Sequence, residues 1–221
     1  MELTYFGHAS FLLTAGDGTM ILIDPFDDQP GYPAPDISPT AVSVSHEHFD
    51  HNHVATAKGK PKVLRGLTDG GKGWAKVDER LGAVRVTTVP TFHDPTKGSQ
   101  RGRNSVFIYE VDGLRIVHAG DLGHTLDPDQ IKAIGRPDVL MIPVGGFYTI
   151  GPQEADAVVA ALTPRVVIPM HYKTEVNEGW SIGTIDEFTK GKRSVSRKGR
   201  SVTISRETLP AESEVWVLAH A

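Results

Sequence analysis

The sequence predicts a layered α/β fold in which two sheets pack against each other beneath helices. Short strand-like segments recur along the whole chain, and helix signals appear in both halves. The chain has 221 residues, enough for one domain with a sizeable core. Because no repeat or low-complexity linker divides it, we predict a single domain spanning residues 1–221.

The first part of the chain consists of short strands and one long loop. Alternating apolar and polar residues predict strands at about residues 2–6, 10–14 and 19–24. The prolines between residues 30 and 39 exclude a central strand or helix and predict an ordered surface loop. The apolar run at 41–45 then predicts a buried strand.

The rest of the chain combines further strands with a few helices. Strands are predicted near residues 62–65, 84–89, 105–111, 114–118, 138–142, 165–169, 201–205 and 214–218, and helices near 127–134, 151–162 and 184–190. The clearest helix signal follows Gly151, where a proline and then an acidic residue stand in the first turn. Its flanking strands make a β-α-β unit. The charged segment 191–200 predicts solvated turns.

Composition narrows the possible chemistry. The chain has no cysteine, so any bound metal must be held by nitrogen and oxygen. The formal net charge of −4 argues against a basic nucleic-acid footprint. The first residues show no signal-peptide pattern, and no apolar run reaches the roughly 18 residues that cross a bilayer. We therefore expect a cytoplasmic protein with no nucleic-acid or membrane partner.

Histidine is the exceptional residue of this composition, with 10 in the chain. Directly after the strand at 41–45, four potential metal ligands occupy six positions, namely His46, His48, Asp50 and His51. Burying several imidazoles and a carboxylate is costly unless they are paired or bound to metal. His46 and His48 can turn to one side while Asp50 and His51 face another. The spacing therefore favours two metal ions.

The run from His46 to His51 resembles the signature of the metallo-β-lactamase superfamily. Later segments ending in His93, Asp121 and His171 resemble the remaining ligand positions of that superfamily. The resemblance implies a four-layer αββα sandwich with metal ions at the edge where strands of both sheets end. It also implies a first ion held by His46, His48, His93 and Asp121, and a second held by Asp50, His51, Asp121 and His171.

Within the superfamily, the chain is similar to small cytoplasmic zinc-dependent hydrolases related to ascorbate-6-phosphate lactonase. The segments at 5–10, 24–25, 120–124 and 143–151 carry this closer resemblance. His48 stands where flavo-diiron oxidoreductases carry a glutamate, which favours zinc hydrolysis over iron redox chemistry. We therefore expect two divalent ions, Zn²⁺ in preference to Mn²⁺ or Fe²⁺.

The resulting hypothesis is a hydrolase whose metal-bound hydroxide attacks a small anionic ester or lactone. A phosphodiesterase or nuclease-type hydrolase of the same fold is the alternative, and a non-catalytic metal-binding regulatory protein or an iron redox enzyme would represent different classes. The partner expected is a small-molecule substrate, and assembly as a homo-oligomer is left open.

Several residues are predicted to assist the metal ligands. Asp50 would orient the nucleophile, and His8 and His124 are candidate catalytic helpers. Asp24 ends a strand and is predicted to orient a ligand histidine or a loop. The loop after His93 carries three cations that are either solvated or able to anchor a phosphate or carboxylate, namely Lys97, Arg101 and Arg103.

Overall fold

The computed structural model describes residues 1–220. Its strands are β1 (Glu2–Gly7), β2 (Ser10–Thr14), β3 (Met20–Ile23), β4 (Ala41–Val44), β5 (Lys62–Arg65), β6 (Leu67–Thr68), β7 (Gly73–Trp74), β8 (Asp78–Leu81), β9 (Val84–Phe92), β10 (Arg103–Val111), β11 (Leu114–His118), β12 (Val139–Pro143), β13 (Val166–Met170), β14 (Val195–Lys198), β15 (Ser201–Thr203) and β16 (Glu214–Leu218). Its α-helices are α1 (Pro128–Ile134), α2 (Pro152–Leu162) and α3 (Ile185–Thr189).

The strands form two large sheets that pack face to face. The first has the order β15-β1-β2-β3-β4-β5, and the second has the order β14-β16-β13-β12-β11-β10-β9-β8. The short strands β6 and β7 pair separately. Fully buried apolar side chains from both sheets, such as Phe11, Phe107 and Met141, belong to one core cluster between them. Burial of each such side chain contributes about 1.5–3 kcal/mol.

Helices cover the outer face of the second sheet. Ile134 of α1, Val158 of α2 and Phe188 of α3 are buried in the cluster on that face. The outer face of the first sheet is covered by the long connection between β3 and β4, through Phe26 and Tyr32, and by a single 3-10 turn at Val54–Thr56. The predicted αββα sandwich is confirmed, with one outer layer made mostly of loop.

Local sequence explains where the two longer helices begin. The Asp127 carboxylate accepts the backbone N–H of Gln130, and the Gln130 side chain accepts the N–H of Asp127 in return. Asp127 is therefore the N-cap residue of α1, which begins at Pro128. At α2, the Glu154 carboxylate accepts the N–H of Gly151 in the same way. Neither these helices nor any other in residues 1–220 is long and apolar enough to span a membrane.

The predicted elements agree with the structure except in two regions. Segment 191–200 was expected to form solvated turns, but its residues Val195–Lys198 form β14, which pairs in parallel with β16. The strand carries charges because it lies at the edge of its sheet, where one side faces solvent. The strands β6, β7 and β8 were not predicted, since they are short and rich in polar residues or glycine.

Strand direction determines where the loops meet. In the first sheet β1, β3 and β4 run in one direction, because β1 and β3 are both antiparallel to β2 and β4 is parallel to β3. In the second sheet β9, β11, β12 and β13 likewise share one direction. The carboxyl ends of these strands therefore gather at one edge of each sheet.

Candidate metal centre

Five of the predicted site residues outside the histidine motif follow the carboxyl ends of these strands. The pairs are His8 after β1, Asp24 after β3, His93 after β9, Asp121 after β11 and His171 after β13. The motif itself follows β4. All of these residues are buried except His48 and the intervening Glu47 and Phe49. The fold therefore brings distant segments of the chain into one buried cluster.

Asp121 lies at the centre of this cluster. Its Oδ2 atom is 3.0 Å from Nε2 of His93 and 3.3 Å from Nε2 of His171. The same oxygen is 3.8 Å from Nε2 of His46, while Oδ1 is 3.3 Å from Nε2 of His51. Asp121 thus contacts histidines from both sheets, as a ligand shared between two ions must.

The other predicted ligands fall into two groups, and a third grouping joins Asp24 to His46 and His51. The first group comprises His46, His48 and His93, and the second comprises His8, Asp50, His51 and His171. Within each group, one ligand atom from every residue lies within 4.8 Å of the others. The structure therefore brings together all seven residues predicted as ligands and adds His8 beside them. Their assignment as ligands stays a prediction.

Six buried atoms of the cluster have no hydrogen-bond partner in the described part of the chain. They are Nδ1 of His8, His93 and His171, Nε2 of His46 and His51, and Oδ1 of Asp121. An unsatisfied buried polar group costs about 1–3 kcal/mol. Neutral imidazole nitrogen and carboxylate oxygen are ordinary ligands of Zn²⁺. The donor set therefore fits divalent metal ions, which would satisfy atoms that no protein group satisfies.

Asp24 orients two of the imidazoles. Its carboxylate accepts the N–H of Ser45 at 2.8 Å and the Ser45 hydroxyl at 2.5 Å, and it lies 3.0 Å from Nδ1 of His51. The Ser45 hydroxyl oxygen is also 2.9 Å from Nδ1 of His46. With Nδ1 of each ring engaged, Nε2 carries the lone pair that faces the centre. This geometry supports the orienting role predicted for Asp24.

Three of the eight described non-glycine residues with a positive φ angle belong to the cluster. His8, Asp24 and His171 have φ angles of 53°, 43° and 53°, in the left-handed region. This region costs a residue other than glycine on the order of 1–3 kcal/mol and is found mostly where function requires it. At these three positions the strained conformation turns the chain sharply as it leaves its strand.

Two glycines let neighbouring loops pack against the chain at the site. A Cβ atom on Gly123 would lie 2.1 Å from the carbonyl carbon of His93, and one on Gly145 would lie 2.2 Å from the carbonyl oxygen of His171. Both contacts involve backbone, so no rotation of a side chain could relieve them. The loops after β11 and β12 therefore require glycine at these positions.

Ser45 and Asn104 are structural elements of the site that the sequence did not reveal. Oδ1 of Asn104 accepts the N–H of Asp121 at 3.1 Å, while its amide nitrogen donates to the carbonyl of Ala119 and the hydroxyl of Thr91. The buried Asn104 side chain thus holds the loop that presents Asp121. In sequence, Asn104 is one of three polar residues at the start of β10, which does not distinguish it.

Burial keeps several imidazoles neutral. It lowers the pKa of His46 well below the ordinary value, with a smaller contribution from His51. His48 is exposed as a residue, but partial desolvation of its ring, and then His93, lower its pKa. Burial and His171 lower the pKa of His8 to about 4, against the opposing effect of the hydrogen bond with Asp50. Neutral imidazole is the form that binds metal.

The two buried aspartates remain anionic. Burial favours the neutral acid, but His171, His51 and His93 outweigh it and hold the pKa of Asp121 well below its ordinary value. Burial also opposes ionisation of Asp50, and His51 with His8 outweighs it in the same way. The pKa of His51 is raised, since Asp121 and Asp50 outweigh its burial. The two carboxylates therefore place negative charge at the centre of the cluster, and divalent metal ions would neutralise it.

A cavity of about 810 Å³ opens onto the cluster. Its polar walls include His48, Asp50, His93, Asp121 and His171, and its aromatic walls are Phe49, Tyr148 and Trp180. Ligand-binding cavities commonly measure about 300–1,000 Å³. A small organic molecule can therefore reach the predicted ligands.

The two predicted catalytic histidines have different surroundings. Nε2 of His8 lies 3.0 Å from Oδ2 of Asp50, so His8 contacts the cluster directly. His124 instead accepts the N–H of Phe92 with Nε2 and lies 2.7 Å from the Thr125 carbonyl with Nδ1. Both of its ring nitrogens are engaged by backbone, and it does not line the cavity at the cluster. His124 lines a neighbouring cavity that shares His93 with this one. Its contact with Phe92 holds the end of β9, and its helper role stays a prediction.

The sandwich and its strand-edge cluster define a protein of the metallo-β-lactamase fold. A family model for the beta-lactamase superfamily domain matches residues 2–171. The chain belongs to this superfamily and, within it, to the UPF0173 family. The predicted superfamily membership is confirmed.

Individual relatives agree with this placement. A UPF0173 metal-dependent hydrolase from Methanoculleus marisnigri is 37% identical over 190 residues, covering 79% of this chain and 82% of the relative. Another from Archaeoglobus fulgidus is 33% identical over 199 residues, covering 79% and 84%. The crystal structure of a proposed Zn-dependent hydrolase of the metallo-beta-lactamase superfamily from Thermotoga maritima matches with a TM-score of 0.80 and 37% identity, covering 98% of this chain and 97% of that one.

Proposed function

We propose that the protein is a two-metal hydrolase of a small anionic ester or lactone. The observation that carries this proposal is the position of Asp121, which contacts histidines of both ligand groups. Metal ions bound there would polarise a carbonyl oxygen and lower the pKa of a bound water toward about 7. The relatives described as metal-dependent hydrolases support the reaction class.

The residues around the ligands would position the nucleophile and hold its proton. His8, neutral near pH 7 because its pKa is about 4, can donate Nε2–H to Oδ2 of Asp50. This hydrogen bond fixes the carboxylate and leaves its other oxygen, Oδ1, to orient an attacking water. Phe49, Tyr148 and Trp180 would exclude bulk water from part of the cavity.

Zinc is the metal we propose. Five of the seven predicted ligands are histidines, and imidazole is a common ligand of Zn²⁺. Manganese and iron accept the same nitrogen and oxygen donors, so the metal content of the purified protein distinguishes them.

A phosphodiesterase is the second candidate. It would use the same donors, and the position of Arg101 in the wall of the cavity favours a substrate with negative charge. A regulatory protein without turnover has less support, because the cluster opens onto a cavity large enough for a substrate.

The test combines metal analysis with an activity panel. We expect about two zinc ions per chain and turnover of 4-nitrophenyl acetate or a simple lactone that is lost on chelation and restored by zinc. Bis(4-nitrophenyl) phosphate tests the second candidate. Full ester hydrolysis by metal-free protein, or no hydrolysis of any substrate by zinc-loaded protein, would contradict the proposal.

A further inference from the structure

Arg101 lies between two cavities. It lines the cavity at the metal centre and also a second cavity of about 770 Å³. Only His93 and Tyr148 are likewise shared between the linings of these two cavities. The second cavity also contains Lys97, whose side chain is exposed. A molecule bound at the metal centre can therefore extend past Arg101 toward a second cation.

Arg101 is half-buried, and its guanidinium makes no ion pair or hydrogen bond with the described residues. Its ring contact is with Tyr148, at 5.9 Å from the ring centroid. The other two nearby arginines do not line the metal-centre cavity, although Nε of Arg103 also lacks a hydrogen-bond partner among the described residues. Arg65 pairs with Glu47 at 2.6 Å, and Arg103 lies 4.8 Å from the ring centroid of Trp74 and lines neither cavity. Arg101 alone among these three presents unused donors to the metal-centre cavity.

The carboxylates of the second cavity are committed to backbone groups. Asp94 accepts the N–H groups of Thr96, Gly98, Gln100 and Arg101 at 2.7–3.0 Å. These bonds and the Thr96 hydroxyl outweigh burial and lower the pKa of Asp94. The other two carboxylates cap α1 and α2. None of them neutralises the Arg101 side chain, while Asp94 fixes the loop that carries it.

We infer that Arg101 binds an anionic group of the substrate that lies away from the bond to be cleaved. The inference rests on the proposed function and narrows its substrate class to an ester or lactone that also carries a remote carboxylate or phosphate. The scissile carbonyl occupies the metal centre, and the anionic group lies beside Tyr148, where the guanidinium fork can bind it in bidentate fashion. A phosphodiester, by contrast, carries its charge at the reacting centre.

Three substrates with the same 4-nitrophenolate leaving group distinguish an ester with a remote anion from an uncharged ester and from a phosphodiester. They are 4-nitrophenyl acetate, mono-4-nitrophenyl glutarate and bis(4-nitrophenyl) phosphate. We expect Arg101→Gln to lower kcat/KM for the glutarate ester by about 10- to 100-fold, a loss typical of a charge-assisted hydrogen bond. The same variant should leave the acetate ester within about 3-fold of wild type, and Arg101→Lys should restore part of the loss.

Two controls make the result specific. Arg103→Gln removes a cation from the same stretch of chain but outside both cavities, and it should leave all three rates unchanged. Metal content should be equal in wild type and every variant. Equal losses for the glutarate and acetate esters in Arg101→Gln would overturn the inference while leaving the proposed function intact.

A binding experiment decides the case if no substrate turns over. Calorimetric titration of zinc-loaded protein with glutarate, and separately with inorganic phosphate, measures recognition of the anion without catalysis. We expect at least one of these anions to bind wild type and to bind Arg101→Gln at least 10-fold more weakly. Failure of both to bind wild type, or equal binding by the variant, would overturn the inference. Absence of turnover alone would count only against the proposed function.

Discussion

His51 and Asp24 are joined by a hydrogen bond of 3.0 Å between Nδ1 and Oδ2, although one ends the histidine motif and the other ends a different strand. Oδ2 of Asp24 also accepts the hydroxyl of Ser45, which in turn lies beside His46. One carboxylate therefore sets the orientation of one imidazole in each ligand group. Such supporting carboxylates commonly determine metal affinity as strongly as the ligands do.

Replacing Asp24 with asparagine should weaken metal binding by about 10- to 100-fold, because the charge that fixes the His51 tautomer is lost. Competition with a chromophoric chelator measures the affinity. The matched control is Asp36→Asn, since Asp36 is an exposed carboxylate paired with Lys58. Wild-type affinity in Asp24→Asn would show that Asp24 does not orient the ligands.

The two ligand groups should be separable by mutation. We expect His48→Ala and His171→Ala each to leave one ion per chain, because these residues belong to different groups. Asp121→Asn should weaken both sites. Elemental analysis of the purified variants gives the stoichiometry. Since His48 is exposed, its removal should change the free energy of unfolding of the metal-free protein little. Two tightly held ions in His48→Ala would exclude it as a ligand.

His8→Asn tests the contact with Asp50. Asparagine tolerates the left-handed backbone found at position 8, so the fold should be preserved. We expect kcat for the ester to fall by about 10- to 100-fold with the metal content unchanged, as for other partners of site carboxylates. Steady-state kinetics and metal analysis together check this. Loss of an ion would instead show that His8 is needed for metal binding, as a ligand or through Asp50.

Gly123→Ala should destabilise the protein by about 1–3 kcal/mol, the usual cost of forcing atoms into a packed site. The added Cβ would meet the backbone of His93, which cannot rotate away. Urea unfolding measures the change. Gly199→Ala is the control, because its Cβ would make only an ordinary contact at 3.9 Å. Equal stability of the two variants would contradict the close packing at Gly123.

Asp94→Ala should loosen the loop that carries Arg101. The carboxylate accepts four backbone N–H groups between residues 96 and 101, and no other side chain replaces these bonds. Hydrogen exchange should accelerate in this segment and stay unchanged in α2. Unaltered exchange at residues 96–101 would mean that the loop is ordered without Asp94.

Much of the fold could be predicted because local patterns specify it. The alternation around residues 2–23 and the proline and acidic residue at the start of α2 each depend on neighbours in sequence. The position of the site could also be predicted, since the histidine motif follows a buried strand. Its resemblance to a known superfamily then identified His93, Asp121 and His171, which no local pattern connects to the motif.

The contacts that support the site could not be predicted, because they join segments far apart in the chain. Asn104 is one of three polar residues that begin β10, and only the fold places it against Asp121. The proximity of Trp180 to His8, with ring centroids 5.2 Å apart, likewise depends on tertiary packing. His124 looked suited to catalysis because it follows Asp121 by three positions, but the backbone at Phe92 and Thr125 engages it.

Each ligand group draws on both sheets. In one group, His46 and His48 follow β4 of the first sheet and His93 follows β9 of the second. In the other group, His171 follows β13 of the second sheet, whereas its partners follow strands of the first. An ion in either group would therefore act as a cross-link between the halves of the sandwich. Its binding free energy would add to the free energy of unfolding. The melting temperature of this protein would then report how much metal the cell supplies to it.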